Sequence, residues 1–222
     1  MSTVILLGGC GELGFNNWRW HQKMTVEVEV DGRLVLASAV SSVHWWPNFF
    51  GTGGWGGPDW LSEVEGEAVV VDLGERGMLF ALLSDANRQE YTENLPSRVL
   101  ADTTERVWGK EAFSEVVVTR RILQVPPKLY PLLVTFDDIN DPTTVKRVDP
   151  DNLAASFGLG VSLKRITLTI TDEPVTEGEV EKLLGWLREY YGKQLDGRRY
   201  ETVNSTNRFA NSLGAGSFDT QR

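Results

Sequence analysis

The sequence is poor in cysteine and histidine, which excludes several kinds of site. Cys10 is the single cysteine, and His21 and His44 are the two histidines among 222 residues. No internal disulfide can form, and a zinc site built from cysteines or from several histidines is excluded. The sequence therefore predicts no metal centre, and it gives no indication of a cofactor.

Long apolar runs and clustered positive charge are also missing. No run approaches the ~18–20 apolar residues that a membrane-spanning helix needs. With 31 acidic and 22 basic residues the formal net charge is −9, and the basic residues occur singly or in pairs. Because phosphate binding depends on clustered Lys and Arg, we do not expect nucleic acid as a partner.

The first fourteen residues, MSTVILLGGCGELG, contain a glycine pattern and a lone cysteine. Gly9, Gly11 and Gly14 spell GxGxxG after an apolar run, as in dinucleotide-binding loops. That motif requires a following helix, and the next segment, FNNWRWHQ, has no apolar stripe at helical spacing. The nucleotide interpretation is therefore the weaker one.

The segment LLGGC is typical of a lipobox, in which small residues precede a cysteine that becomes acylated. Cys10 is thus the predicted lipidation site. The apolar run Val4–Leu7 is shorter than the ~7–15 residues of a signal peptide, so we expect the start to lie inside a longer signal. The alternative is a frayed N-terminus or a first strand that ends in an ordinary turn.

From Lys23 onward the pattern is that of β-structure. Val26, Val28 and Val30 alternate with polar residues, and Asp31–Gly32 reads as a two-residue hairpin turn. Further strands are predicted in the segments RLVLASAV, EAVVVDL, MLFALL, EVVVTRRILQV (Glu115–Val125), LYPLLVTF and LKRITLTIT (Leu163–Thr171).

Helix signals are fewer. Asp149 is the predicted N-cap of a short helix that ends at Gly158. The earlier segment from Asp85 to Trp108 is predicted as an amphipathic helix broken at Pro96. Thr176 and Glu179 resemble a capping box for a helix that continues to Gly192 and docks on the sheet. The sequence therefore predicts an α+β protein, mainly an antiparallel β-sheet or small sandwich with a docked C-terminal helix. We divide it into residues 1–22 (anchor-like segment and linker), 23–200 (globular domain) and 201–222 (polar tail with Phe209, Leu213 and Phe218 as docking points).

The run HWWPNFFGTGGWGGPDW, from His44 to Trp60, holds four of the eight tryptophans. Its glycines, together with Pro47 and Pro58, predict a segment without regular structure. Such aromatic side chains either contact a ligand or partner, or cover an open side of the sheet. The candidate contact residues are Trp45, Trp46, Phe49, Phe50, Trp55 and Trp60.

Two other groups of residues are candidates for a chemical site. The oxygens of Asp137, Asp138, Asn140 and Asp141 could bind Ca²⁺, but their spacing favours turns and caps. Ser41, Ser42 and His44 lie close in sequence, yet no nucleophile motif surrounds them. No catalytic residue is predicted.

The segment Leu132 to Leu187, beginning LLVTFDDINDPTTVKRVDP, resembles one in a family of uncharacterised bacterial predicted lipoproteins. The segments KMTVEVEVDG and GEAVVVDLGERGMLFALL and the ending LDGRRYE…NSLGAGSF are also similar to that family. The resemblance implies a lipoprotein-type N-terminus and a location in a Gram-negative cell envelope. It implies no activity, ligand or catalytic residue.

We therefore expect a non-enzymatic, lipid-anchored periplasmic protein whose Trp/Gly-rich segment contacts another envelope protein or a glycan. One alternative is an enzyme or binding module acting on a cell-wall or other glycan. A second alternative is a cytoplasmic interaction module.

Overall fold

The computed structural model describes residues 17–48, 59–85, 91–201 and 204–220. In these ranges nine strands form two antiparallel sheets, and the helices are short, which confirms the predicted α+β class. The larger sheet has the order β3-β2-β1-β9-β6, with β1 (Trp18–Val30), β2 (Arg33–Asn48), β3 (Asp59–Glu65), β6 (Leu123–Val125) and β9 (Val161–Thr171). The smaller sheet has the order β4-β5-β7-β8, with β4 (Val69–Asp72), β5 (Met78–Ala81), β7 (Leu133–Phe136) and β8 (Val145–Arg147).

The long hairpin of β1 and β2 is the centre of the larger sheet. Its turn is made by Asp31 and Gly32, with φ of 50° and 80°, as predicted for a two-residue turn with two left-handed residues. The strands then pair without interruption from Val30↔Arg33 to Trp18↔Trp45. Side chains alternate between an inner face, directed at the smaller sheet, and an outer face.

The main core lies between the two sheets, because the inner valines of β1 pack against the smaller sheet. Val26, Val28, Val71 and Leu79 are fully buried in one cluster. β5 alternates between this cluster and a second one, since Phe80 points to the opposite face of the smaller sheet. Both faces of the smaller sheet are therefore covered.

The C-terminal part of the chain forms the layer over that second face. Leu184, Leu187, Leu213 and Phe218 are buried against Phe80, so the predicted docking points Leu213 and Phe218 are confirmed within the described part of the tail. This layer contains α4 (Glu179–Leu183), a 3₁₀ turn at Leu187–Tyr190 and α5 (Arg208–Asn211).

The predicted C-terminal helix docks as expected but is interrupted between α4 and the 3₁₀ turn. The capping box is wrong, because the N-cap of α4 is Gly178 in the left-handed region. Glu67 instead accepts hydrogen bonds from the backbone N–H groups of Glu179 and Val180, at 3.2 and 2.9 Å. Thr176 is used elsewhere: its Oγ1 accepts from the N–H of Val40 in β2.

The prediction of one strand over Glu115–Val125 is wrong. Residues Lys110–Val118 form α2, and only Leu123–Val125 form a strand. Phe113 and Val116, three residues apart, are the buried residues of α2, so packing on one face overrides the β-propensity of its valines.

Two other helix boundaries also differ from the prediction. Pro96 lies in the first turn of α1 (Leu95–Leu100) instead of breaking a helix. The predicted helix from Asp149 reduces to α3 (Ala154–Phe157), which does end at Gly158. Proline is tolerated in a first helical turn because the N–H it lacks has no intrahelical partner there.

The prediction that the tryptophan-rich run has no regular structure is wrong at both ends. β2 continues through Pro47 to Asn48, and Pro47 pairs with Trp60 of β3. Beyond Trp45, β2 has β3 as its only neighbour in the sheet among the described residues. Proline is tolerated in such a position because fewer ladder hydrogen bonds depend on it. Residues 49–58, between the two strands, lie outside the described residues.

Candidate functional site

The inner-face tryptophans form a closed aromatic cluster under α2. Trp18, Trp20 and Trp45 are buried, and all three surround the ring of Phe113. Trp45 stacks on Phe113 with a centroid distance of 4.8 Å and an interplanar angle of 22°. Trp45, a predicted contact residue, therefore covers the sheet and belongs to the core.

Trp60 stands at the border of this cluster. Its ring meets Trp18 and Phe113 edge to face, at 5.3 and 5.5 Å, and remains partly exposed. The remaining predicted contact residues Phe49, Phe50 and Trp55, the lipidation residue Cys10 and the glycines Gly9, Gly11 and Gly14 lie outside the described residues.

The outer face at the same end of the hairpin carries a second, half-buried aromatic group. Trp46 points away from the core, and its ring lies 4.7 Å from that of His44. His44 Nδ1 lies 3.2 Å from an Arg19 guanidinium nitrogen, which makes Nδ1 the acceptor of that hydrogen bond. Two residues of β3 complete the group, since Leu61 pairs with Trp46 and Glu63 pairs with His44. We call Arg19, His44, Trp46, Leu61 and Glu63 the outer aromatic surface.

Charge at the outer aromatic surface is mixed. Desolvation and the neighbouring Arg19 lower the pKa of His44, while Glu63 opposes this shift. The imidazole is therefore neutral at neutral pH and can accept from Arg19 while it stacks on Trp46. Aromatic and arginine side chains with an exposed leucine are the composition found at protein interfaces.

The other sequence candidates do not assemble into a site. Ser41 shares the inner face with Val43 and Trp45, whereas Ser42 and His44 lie on the outer face, so the three cannot act together. Asp138 and Asp141 hold turns by accepting from the N–H groups of Asn140 and Thr143, each at 2.9 Å. Within the described residues no group of three His, Cys, Asp or Glu side chains is placed to hold a metal.

A cleft of about 920 Å³ is the site that the sequence did not suggest. It lies between the inner side of β3, the segments on either side of residues 86–90, β8 and the C-terminal layer. Its lining residues are Val64, Leu83, Ser84, Asp85, Thr92, Glu93, Leu132, Arg147, Gln194, Tyr200, Phe209, Ser212, Leu213, Gly214, Gly216, Ser217 and Thr220. They come from segments far apart in sequence, so no local motif could reveal them.

A network of buried polar groups reaches the wall of the cleft at Thr92 and Leu83. Gln22 accepts from the indole N–H of Trp20 at 2.9 Å and donates to the carbonyl of Thr92 at 2.8 Å. Thr92 Oγ1 donates to the carbonyl of Leu83 at 2.7 Å. The network connects the aromatic cluster to the cleft and holds the backbone at Glu93 in place.

Two carboxyl groups stand in this region in different environments. Burial raises the pKa of Glu93, whose Oε1 accepts from Ser62 at 3.3 Å. Asp85 is instead paired with the buried guanidinium of Arg98, at 3.5 Å from Nη1. The cleft therefore offers one carboxyl whose pKa is raised by burial and one that has a cationic partner.

The chain matches no protein-family model, no curated protein and no solved structure. No helix in the described ranges is long and apolar enough to cross a membrane. The fold and the site define the class of the protein at this level: a two-sheet α+β protein with an exposed aromatic surface and a separate polar cleft.

Proposed function

We propose that this is a non-enzymatic, lipid-anchored envelope protein that binds a partner protein through the outer aromatic surface. The observation that carries the proposal is the orientation of Trp46. Three neighbouring tryptophans are buried under α2, whereas Trp46 lies half-buried on the opposite face, where it contacts His44 and pairs with Leu61. Trp and Arg are among the residue types that dominate binding energy at protein interfaces.

The edge strand beside this surface supports a protein partner over a glycan. β3 is the last strand of the larger sheet among the described residues, and Leu61 and Glu63 face outward from it. An edge strand can accept a further strand from a partner, with side chains beside it giving specificity. A lipid partner is disfavoured, because the surface includes Glu63 and the chain has a net charge of −9.

The predicted anchor would enter the fold at the same end. Trp18, where β1 begins, pairs with Trp45, next to Trp46. Trp18 follows Cys10 by eight positions, which is at most about 28 Å of extended chain. A lipid on Cys10 would therefore keep the outer aromatic surface close to the membrane, where envelope proteins are available as partners.

Site-specific photo-crosslinking in the native host tests the partner. A photoreactive amino acid replaces Trp46 in one variant and Leu36 in the other. Leu36 lies on the same strand and the same face, is 57% exposed and provides the matched control. We expect one adduct of discrete mass from position 46 and none from position 36. Equal labelling at both positions, or none at 46, would contradict the proposal.

Binding by the purified partner identified in that adduct gives the quantitative check. Trp46→Ala should weaken binding at least about 30-fold, the effect of a hot-spot residue. Leu36→Ala should change the dissociation constant less than about threefold. The anchor is tested separately by intact mass: acyl mass on a chain that begins at Cys10 should disappear in Cys10→Ser.

A further inference from the structure

The cleft is separate from the outer aromatic surface, because the two lie on opposite sides of β3. Val64 of β3 lines the cleft, whereas Leu61 and Glu63 lie on the outer face. The cleft volume of about 920 Å³ lies within the ~300–1,000 Å³ range of small-molecule sites. A ligand in this cleft would therefore not compete with a partner on the other face.

The charges that line the cleft disfavour an ionic ligand. An anion would meet Asp85 and Glu93, with Arg147 as the cation lining the cleft in the described ranges. A cation would find Asp85 already paired with Arg98. The Glu93 carboxyl already accepts from Ser62 at 3.3 Å, and its remaining lone pairs can accept from the hydroxyl groups of a ligand. These charges leave a neutral, polar ligand as the best fit.

Hydroxyl groups and exposed backbone make up much of the wall. Ser212 Oγ donates to the carbonyl of Phe209 at 2.7 Å, and Thr220 Oγ1 donates to the carbonyl of Gly66 at 3.1 Å. Their oxygens keep lone pairs for a ligand, because a hydroxyl that donates can still accept. A purely apolar ligand would leave these lone pairs unused, whereas the hydroxyl groups of a polar ligand could donate to them.

Two aromatic rings stand at the rim. Tyr200 is 64% exposed, and Phe209 is partly buried with the guanidinium of Arg147 over its ring at 5.7 Å. A sugar ring has an apolar face and polar edges, so it suits aromatic rings beside hydroxyl and carboxyl groups. Because of this combination, we propose that the cleft is a binding site for a neutral sugar, with Glu93 and the wall hydroxyls holding the sugar hydroxyls and Tyr200 stacking on its ring.

Titration calorimetry of the full chain with three neutral probes tests the site: cellotetraose, maltotetraose and the β-1,4-linked tetramer of N-acetylglucosamine. We expect at least one to bind saturably with a stoichiometry near one. Tyr200→Ala should weaken that binding about tenfold, since the exposed ring contributes contact to the ligand and little to the fold. Saturable binding by none of the three would overturn the proposal.

Gly216→Trp is the blocking variant. Gly216 lines the cleft, and a Cβ built there meets no heavy atom within 4 Å, so the backbone accepts a side chain that starts toward open space. We expect this variant to fold and to lose binding. The matched control is Trp108→Ala, which removes an exposed aromatic ring that does not line the cleft. Wild-type affinity in both Gly216→Trp and Tyr200→Ala would also overturn the proposal.

Trp46→Ala separates this inference from the proposed function. It should weaken partner binding at least about 30-fold and leave the affinity for the sugar unchanged, because Trp46 is on the other face of the sheet. Loss of sugar binding in Trp46→Ala, with the fold intact, would instead place the sugar on the outer aromatic surface and overturn the assignment to the cleft.

Discussion

Adjacent tryptophans of β2 should contribute very differently to stability. Trp45 is 2% exposed and stacks on Phe113 at 4.8 Å, whereas Trp46 is on the outer face beside His44. Trp45→Ala should therefore lower the free energy of unfolding by about 3–5 kcal/mol, the usual cost of deleting a buried aromatic side chain. Trp46→Ala should cost less than about 1 kcal/mol, because its side chain does not fill the core.

A third variant tests the cause of the larger effect. The indole N–H of Trp45 has no hydrogen-bond partner among the described residues. Trp45→Phe keeps a ring against Phe113 and removes that buried donor, so we expect a loss below about 1.5 kcal/mol. If packing sets the cost, Trp45→Phe should recover most of what Trp45→Ala loses.

Urea unfolding followed by circular dichroism is the assay, since tryptophan fluorescence would itself change in these variants. Linear extrapolation gives the free energy of unfolding, and an unchanged m-value confirms that the same surface is exposed. The reasoning would be refuted if Trp46→Ala were as destabilising as Trp45→Ala. It would also be refuted if Trp45→Phe were as costly as Trp45→Ala, because shape and packing would then not explain the cluster.

Three further predictions concern other parts of the fold. Burial raises the pKa of Glu93 above the usual 4.5, so the folded state keeps this proton to higher pH than the unfolded state, and the free energy of unfolding should fall as pH rises from about 4.5 through the raised pKa. Unfolding curves across pH should lose that fall in Glu93→Gln, and an unchanged profile would contradict the prediction. Gly66→Ala should be more destabilising than Gly32→Ala, because both glycines have positive φ but only the Cβ added at Gly66 meets another atom, Ser41 Oγ at 2.6 Å. Equal losses near about 1 kcal/mol in urea unfolding would argue against that contact. Arg76 donates to both carboxylate oxygens of Asp31 and to two backbone carbonyls. Arg76→Ala should therefore lower the melting temperature, and Arg76→Lys should lower it by a smaller amount; a wild-type melting temperature in Arg76→Lys would refute a role for the forked guanidinium.

Much of the β-structure could be predicted from local patterns. Val26, Val28 and Val30 alternate because one face of β1 is buried, and Asp31–Gly32 supports two left-handed residues. These signals depend only on neighbouring residues, so they can be read without the tertiary structure. The antiparallel α+β class followed from several such strands in succession.

The errors arose where tertiary contacts override local preference. The valines of α2 favour a strand, but Phe113 and Val116 must reach the aromatic cluster from one helical face. Pro47 favours a break, but β2 continues because β3 pairs with it. Both outcomes depend on residues distant in sequence, to which a local pattern is insensitive.

The outer aromatic surface and the cleft differ in how much of each could be predicted from local sequence. The tryptophan-rich run was recognised from composition, but the separation of Trp45 from Trp46 requires the strand register. The cleft brings together Glu93, Arg147 and Tyr200, and nothing in their local sequences relates one to another. A sequence pattern could identify the surface as aromatic and could not identify the cleft.

Oxidative footprinting of individual tryptophans, read by mass spectrometry, tests the central claim most directly. The purified protein and the native cell envelope are exposed to hydroxyl radicals in parallel. The account predicts that Trp46 is oxidised in the purified protein and protected in the envelope, while Trp20 and Trp45 stay unoxidised in both. Oxidation of Trp45 in the folded protein, or equal oxidation of Trp46 in the two samples, would contradict it.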